Sequence, residues 1–377
     1  MLPAPQKVTF VFDRVMHYQL DPLRGLEARL RRHGVEMGLI SGIRPQGASG
    51  RVAVEAQAVS SETKFRLWDL TVGSYVFRFA LGYVWQIRKQ RPEVVVCAAH
   101  PGDLGHWLLI GLKRRLNYRL LAWQCGYEYN PGRFKRWLLR RFVPGFDFHL
   151  AYHSNARRYA LENGAAENQV MVMHNTLNEE KLVITEKTEA VAVLRQRHPE
   201  IGERRVVLYV GAVLAEKKIE QLLAAMAGLT RTDAVLVVVG DGPHLPALRA
   251  IATGRREVIF AGQVIDGVGI YFDAAEMYVL PGTGGLGINE AMAHSLPIIS
   301  GYADGSADDL VVDGENGFRL QDDTVEELTQ RIAWILDHPA EAEQMGANSR
   351  EWITGKFSFQ RFLDRVEEAV VRQALEA

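Results

Sequence analysis

Short apolar runs and amphipathic stretches alternate along this chain, and the series occurs twice. In the first half the runs are Val8 to Phe12, Val35 to Ile40, Val94 to Ala99, Leu120 to Trp123, Phe148 to Tyr152 and Val170 to His174. Helical patterns lie between several of them, at Leu23 to Arg32 and Asn155 to Asn163. In the second half the runs are Val206 to Val210, Ala234 to Val239, Val258 to Ala261, Met277 to Leu280, Pro297 to Ser300 and Phe318 to Leu320. Helical patterns follow at Ile219 to Ala227, His244 to Ile251, Ile288 to His294 and Val325 to Leu336. Strands alternating with amphipathic helices make βαβ units, and Val/Leu/Ile runs without polar alternation fit strands covered on both faces. The chain therefore reads as α/β, with two doubly wound parallel-sheet domains, residues 1–180 and 181–356. A charged linker with a helix in it, around Asn178 to Arg205, joins them, and the closing amphipathic helix, 357–377, is expected to pack back on the first domain. Ligands of such sheets bind at the carboxyl ends of strands, and a cleft between two facing sheets is the default site.

The 377 residues, 47% hydrophobic and 24% charged, suit two soluble cores and exclude disorder over most of the length. Two cysteines, Cys97 and Cys125, rule out a disulfide framework and a four-thiolate zinc site, and fit a reduced, cytoplasmic setting. The first residues lack the ordered parts of a signal peptide, and the apolar stretch Leu67 to Ile87 is interrupted by Asp69 and Arg78.

Charge is divided unevenly. Residues 1–180 hold 25 Lys plus Arg against 15 Asp plus Glu, a balance of +10, whereas residues 181–377 hold 19 against 30, a balance of −11. The cations cluster at Lys113, Arg114, Arg115 and Arg119 and again at Arg133, Lys135, Arg136, Arg140 and Arg141, the second group interleaved with Phe134, Trp137 and Phe142. Cations beside aromatic and aliphatic residues suit an interfacial helix on an anionic lipid surface, and we expect peripheral attachment at the inner face of the cytoplasmic membrane. The plain alternative is a helix packed on its own domain, its Arg stems lying over apolar surface. Nucleic acid is disfavoured, since no zinc finger, KH loop or RNP-type strand is present.

Three strand-end loops of the second half carry the chemistry. Gly211 to Lys218 turns at a glycine and delivers Lys217 and Lys218 near a helix start, which suits a diphosphate. Gly240-Asp241-Gly242-Pro243 is a tight turn into a helix. Gly282-Thr283-Gly284-Gly285-Leu286-Gly287 stands between strand and helix, where successive backbone N–H groups can form an anion nest at the positive helix end. Glu290 falls one turn into that helix, in place to accept ribose hydroxyls.

From Val206 to about Trp352 these motifs, with Phe260 to Val264, Glu290 to Ala293, Leu296 to Ile299, Asp313-Gly314 and Asn316 to Phe318, resemble in order the nucleotide-sugar-binding domain of glycosyltransferase family 4, whose GT-B fold sets two Rossmann-like domains face to face. The first half resembles the family's acceptor domain in outline only. The resemblance implies retaining transfer of a hexose-type sugar from a nucleoside diphosphate sugar, UDP- ahead of GDP-, to a hydroxyl of a lipid-linked or envelope polysaccharide acceptor. It implies Lys217 on the diphosphate, Gly284, Gly285 and Leu286 on phosphate or sugar, Glu290 on the ribose, and Gly262 to Val264 beside the base. The leaving diphosphate would take the acceptor's proton, and neither metal nor other cofactor is expected. The chain departs from the family at Ala212, where an Arg is usual, at Gly282, where a Glu is usual, and at Asp13 to Asp21, which lacks paired glycines. Lys218 is then the candidate second cation, and Thr283 or Asn289 the candidate sugar contact.

On the acceptor side, His100 ends a strand and is a candidate for binding a hydroxyl or the donor sugar. Gln124, Cys125, Tyr127 and Glu128 follow another strand, and Cys125 reads as a packed thiol, having no adjacent His or Asn to activate it. Two other classes stay open. One is a sugar-nucleotide-binding protein of weak catalytic power. The other, a Rossmann-type dehydrogenase, is disfavoured on the reading that no strand leads into Gly-x-Gly-x-x-Gly with an acidic residue about 20 positions on.

Overall fold

The computed structural model describes residues 6–43, 57–66, 68–72, 75–79, 81–126, 132–302 and 305–375. The chain forms two compact units, described in turn: residues up to Asn175 together with the last helix from Gln360, and residues from Thr176 to Phe359.

The first unit is built on a seven-stranded sheet of order β3-β2-β1-β6-β7-β8-β9. Its strands are β1 (Gln6–Phe12), β2 (Val35–Ile43), β3 (Ser61–Arg66), β6 (Val94–Ala98), β7 (Arg119–Gln124), β8 (Phe148–Ala151) and β9 (Val170–Val172), all paired in parallel. A separate antiparallel hairpin, β4 (Trp68–Val72) with β5 (Tyr75–Phe79), stands inside the long apolar stretch. Helices α1 (Leu20–Arg32), α2 (Leu81–Gln90), α3 (Leu104–Leu116), α4 (Arg133–Phe142) and α5 (Ser154–Glu162) follow in chain order.

The period of two along each strand sorts the core. Val11, Cys97, Leu120 and Ala122 face one layer, where Tyr83 and Ile87 of α2, Leu109 of α3 and Phe142 of α4 pack on them. Phe10, Phe12 and Trp123 face the other layer, where Trp123 meets Phe362 edge-on. Phe362 lies on the last helix, Phe359–Leu375, which is tied to this unit by Arg29 through Asp364 and Glu367, by His33 to Glu367 at 2.7 Å, and by Arg119 to Gln373 at 2.9 Å.

The second unit holds a six-stranded parallel sheet of order β12-β11-β10-β13-β14-β15. Its strands are β10 (Arg205–Val210), β11 (Ala234–Val239), β12 (Val258–Gly262), β13 (Ala275–Leu280), β14 (Ile298–Ser300) and β15 (Gly317–Arg319). Helices α6 (Lys187–Arg197), α7 (Ile219–Gly228), α8 (Leu245–Ile251), α9 (Gly269–Asp273), α10 (Leu286–Ala293), α11 (Ala307–Leu310), α12 (Val325–Asp337) and α13 (Pro339–Thr354) surround it, and the last helix of the chain is α14. β11 is buried at every position, as its unbroken apolar run requires. Among the described residues no helix is long and apolar enough to cross a membrane.

Candidate donor site at the strand ends of the second unit

Four loops at the carboxyl ends of the second sheet are pressed together backbone to backbone. After β10 the chain turns at Gly211, runs to a 3-10 turn at Ala215–Lys217, and enters α7 through Lys218, whose φ is +52°. The loop after β11 packs on it. A side-chain carbon placed on Gly240 would lie 1.9 Å from the Gly211 carbonyl oxygen, and one on Gly242 would lie 2.3 Å from that of Val213. The Val213 N–H donates to Asp241 O at 2.9 Å, which fixes the two loops side by side. Gly240 and Gly242 are therefore demanded by packing. Any donor contact they make is through the backbone.

Gly282 has the same cause. A carbon on it would lie 2.2 Å from Glu216 O and 2.6 Å from Lys217 Cα, so the lysine loop occupies the space in which a side chain at 282 would begin. The carboxylate usual in family 4 cannot be accommodated there with the loop in this place. The Thr283 N–H donates to Glu216 O at 3.0 Å and clamps the contact.

Lys217 Nζ then donates to the Thr283 carbonyl, which sets its ammonium beside Gly284 at the entry to α10. Gly285 caps that helix without a side-chain hydrogen bond, so the first-turn N–H groups have no side-chain acceptor at the cap. Glu290 lies one turn further, partly buried, and its carboxylate has no hydrogen-bond partner among the described residues. Burial holds its carboxyl above the usual carboxylate range, and the nearby His294 offsets part of that rise. An ammonium, a row of amide protons and an unsatisfied carboxylate at one helix entry form a set matched to a phosphate ester with a neighbouring diol.

Two buried tyrosines, unremarked in the sequence reading, hold this rim. Tyr209 donates to Ala212 O at 3.0 Å and Tyr278 donates to Val210 O at 3.1 Å. A carbon on Gly287 would lie 2.3 Å from the Tyr278 hydroxyl, so that glycine makes room for it. The run from Gly282 to Gly287 does have Gly-x-Gly-x-x-Gly spacing, contrary to the sequence reading, but Gly282 and Gly287 answer to these local contacts.

Other candidates are placed differently from expectation. Lys218 is paired with Asp323, so it is committed to a carboxylate rather than standing ready as a second phosphate cation. Asn289 is buried; its amide donates to Thr176 Oγ1 at 3.3 Å and its Oδ1 has no partner, so it faces the connecting segment rather than a sugar. Thr283 remains at the loop surface. Gly262 takes φ +73° with open space around it and accepts the Gly240 N–H at 2.7 Å, and Val264 is half-buried against the core.

In the first unit His100 is exposed, its Nδ1 accepting from the Gly102 N–H at 3.1 Å. Behind it Tyr83 donates to Asp103 at 2.9 Å, and Asp103 caps α3 through the Gly105 N–H at 2.8 Å. Cys125, expected to be packed, is exposed; Cys97 is buried. Tyr127 and Glu128 lie outside the described residues. No cluster of three or more His, Cys, Asp or Glu suited to a metal ion occurs among the described residues.

Comparison with known proteins places this geometry. Residues 191–352 match the family described as glycosyl transferases group 1. Over 184 residues the chain is 32% identical to the GDP-mannose-dependent alpha-(1-6)-phosphatidylinositol monomannoside mannosyltransferase of Mycobacterium tuberculosis, covering 45% of this chain and 47% of that protein. Over 176 residues it is 30% identical to alpha-D-kanosaminyltransferase of Streptomyces kanamyceticus, covering 44% of this chain and 45% of that one. The chain thus spans about half the length of the curated relatives it matches. Among solved structures, sucrose-phosphate synthase from Thermosynechococcus elongatus aligns with a TM-score of 0.76 at 18% identity, over 99% of this chain and 100% of that chain. Anabaena HepE in complex with UDP aligns with a TM-score of 0.74 at 16% identity, over the same shares. The fold is that of the GT-B glycosyltransferases, and within it residues 191–352 are the part similar to the glycosyl transferases group 1.

Proposed function

We propose that this protein transfers a hexose-type sugar, with retention at the anomeric carbon, from a nucleoside diphosphate sugar to a hydroxyl of a lipid-linked or envelope polysaccharide acceptor. The observation that carries the reading is Lys217, held by the Thr283 carbonyl at the entry to α10, with the Glu290 carboxylate unpartnered one turn below. Lys217 and the amides around Gly284, Gly285 and Leu286 would take the diphosphate, and Glu290 the ribose hydroxyls. The bond from the anomeric carbon to the diphosphate oxygen breaks. The acceptor oxygen bonds to that carbon on the same face, and its proton passes to the departing diphosphate. Stabilisation of that developing charge by Lys217 and the amides is then the main catalytic contribution. His100 is assigned no step, being supported only by its place at a strand end.

The names of the mycobacterial relative and of HepE point to GDP-mannose and to UDP respectively, so both nucleotides belong in the first panel. The acceptor reading draws support from α4. Phe134 and Trp137 are 76% and 51% exposed, stacked at 5.9 Å, with the Arg141 guanidinium 4.5 Å from the Trp137 ring. Leu139 and Phe142 anchor the opposite face in the core. An exposed aromatic pair among cations fits an anionic bilayer surface, where the acceptor lipid would reside.

Thermal-shift and transfer assays over UDP- and GDP-sugars test the proposal. Lys217→Ala is expected to reduce transfer by about 100- to 1,000-fold with unchanged circular dichroism, and Glu290→Ala to weaken donor binding. Full activity in both variants would overturn the assignment. Arg136→Glu, Arg140→Glu and Arg141→Glu together should release the protein from anionic vesicles; unchanged partitioning removes the membrane reading.

A further inference from the structure

We propose that the second unit carries a separate phosphoryl-binding groove at the opposite end of its sheet from the donor loops. The groove has a volume of about 790 Å³ and is lined by Arg204, Arg249, Arg255, Arg256, Glu200 and Phe260, among others. Arg204 immediately precedes β10, and Arg255 and Arg256 precede β12. The donor loops leave the far ends of these same strands. Six residues of β10 separate the two ends by roughly 20 Å at the rise of a parallel strand. A ligand seated on Lys217 does not reach the groove.

The arginines are held in two ways. Arg204 donates from Nε to Ile201 O at 3.1 Å, from Nη1 to Arg256 O at 2.6 Å and from Nη2 to Glu200 O, and Arg255 donates to Leu223 O at 3.1 Å. These two form a fixed wall. Arg249 lies over the Phe260 ring at 6.0 Å, and Arg256 is exposed. None of the four makes an ion pair among the described residues. Of the unit's other arginines, Arg195, Arg205, Arg231, Arg319 and Arg331 each form an ion pair with a carboxylate, and Arg197 and Arg350 form none among the described residues. The one carboxylate of the groove, Glu200, stands 3.6 Å from His198 Nδ1. Four unneutralised guanidiniums at one place repel one another, and the contrast is sharpest in a segment whose own balance is −11. A dianion relieves that repulsion, and the planar donor forks of Arg249 and Arg256, which no carbonyl occupies among the described residues, match phosphate oxygens. Phe260 adds an apolar face beside them, so the ligand class is a small phosphate monoester, its organic part against the ring.

Calorimetry of the 377-residue chain with inorganic phosphate, and then with glucose 6-phosphate, tests this. The proposal expects binding in the wild type and in Lys217→Ala. It expects at least tenfold weaker binding in the double variant Arg249→Ser, Arg256→Ser, whose substitutions are at exposed positions. A melting temperature equal to wild type shows that the variant is folded. No binding at millimolar phosphate, equal affinity in the double variant, or loss of binding in Lys217→Ala would each overturn it. The inference is independent of sugar transfer and survives failure of that reading.

Discussion

The two units share one architecture and close their strand ends by different means. In the second unit three of these loops rest a glycine on the carbonyl of a neighbour: Gly240 on Gly211 at 1.9 Å, Gly282 on Glu216 at 2.2 Å, and Gly301 on Pro281 at 2.0 Å from the added carbon. In the first unit one glycine does the like, Gly126 against Ala156 Cα at 2.6 Å, and side chains do much of the rest. Tyr83, Asp103 and His106 fill the end of β6, and Gln124 is buried with its Nε2 unpartnered at the end of β7. A rim of backbone presents fixed amides and leaves little freedom to vary. A rim of side chains can change its chemistry one residue at a time. Under the proposed function, the fixed rim takes the diphosphate, which is common to all such donors, and the variable rim the acceptor.

The sharpest way to break this comparison is to put a methyl group into the backbone rim. Gly240→Ala places a carbon inside the Gly211 carbonyl at φ +142°, and is expected to destabilise the second unit by about 3–5 kcal/mol. Gly262→Ala meets no atom within 4 Å and pays only for its left-handed backbone, about 1–2 kcal/mol. Denaturant unfolding of both variants measures the difference. A Gly262→Ala penalty as large as that of Gly240→Ala would refute the steric account.

This contrast also explains what the sequence reading could and could not see. Strands of the second sheet were legible because burial on both faces leaves unbroken apolar runs, as in Ala234 to Val239. The donor loops were legible because close backbone approach demands glycine, whatever else the loop does. Edge and surface elements were not. β3, reading Ser-Glu-Thr-Lys-Phe-Arg, is a mostly exposed or half-exposed edge strand with no apolar run to mark it. The β4–β5 hairpin sits inside a long, mostly apolar stretch with no break in pattern to mark its two strands. The pairing of Lys218 with Asp323 joins residues 105 apart, and no local pattern carries it. Asn289 and Glu290 are neighbours on α10, and adjacency says nothing of which one turns to Thr176 and which stays unpartnered. Gly282 as a departure from family 4 was visible at once; its cause needed the position of Glu216.

A smaller effect separates the units by pH. His149 on β8 is fully buried in the first unit, neither ring nitrogen makes a well-formed hydrogen bond, and burial outweighs the pull of the Val143 backbone and of Asp147, taking its imidazole from 6.5 down to about 4. A folded-state pKa below the unfolded one means that the unfolded chain takes up the proton first. Stability is therefore complete above about 6.5 and is lost as pH falls toward 4. His149→Phe removes that loss, and between pH 7.5 and pH 5 the wild type should fall relative to the variant by about 2 kcal/mol. Parallel slopes of stability against pH would show that His149 finds a proton acceptor in the folded state.

Glu290 runs in the opposite direction: burial raises its pKa, and the nearby His294 offsets part of that rise. Its folded-state pKa is raised, so folding takes up a proton in the carboxylate range. The wild type loses stability as pH rises from the unfolded pKa of a glutamate through the higher folded value, and below that window the carboxyl is neutral in both states. Glu290→Gln keeps the shape and never ionises. It should melt above the wild type at pH 7, with a gain that shrinks toward pH 4, while sugar transfer falls. A carboxylate retained at the expense of stability fits a residue waiting for a ligand's hydroxyls. A variant that melts below the wild type at pH 7 would mean that Glu290 is bound within the fold, and the donor rim would then lose its acceptor group.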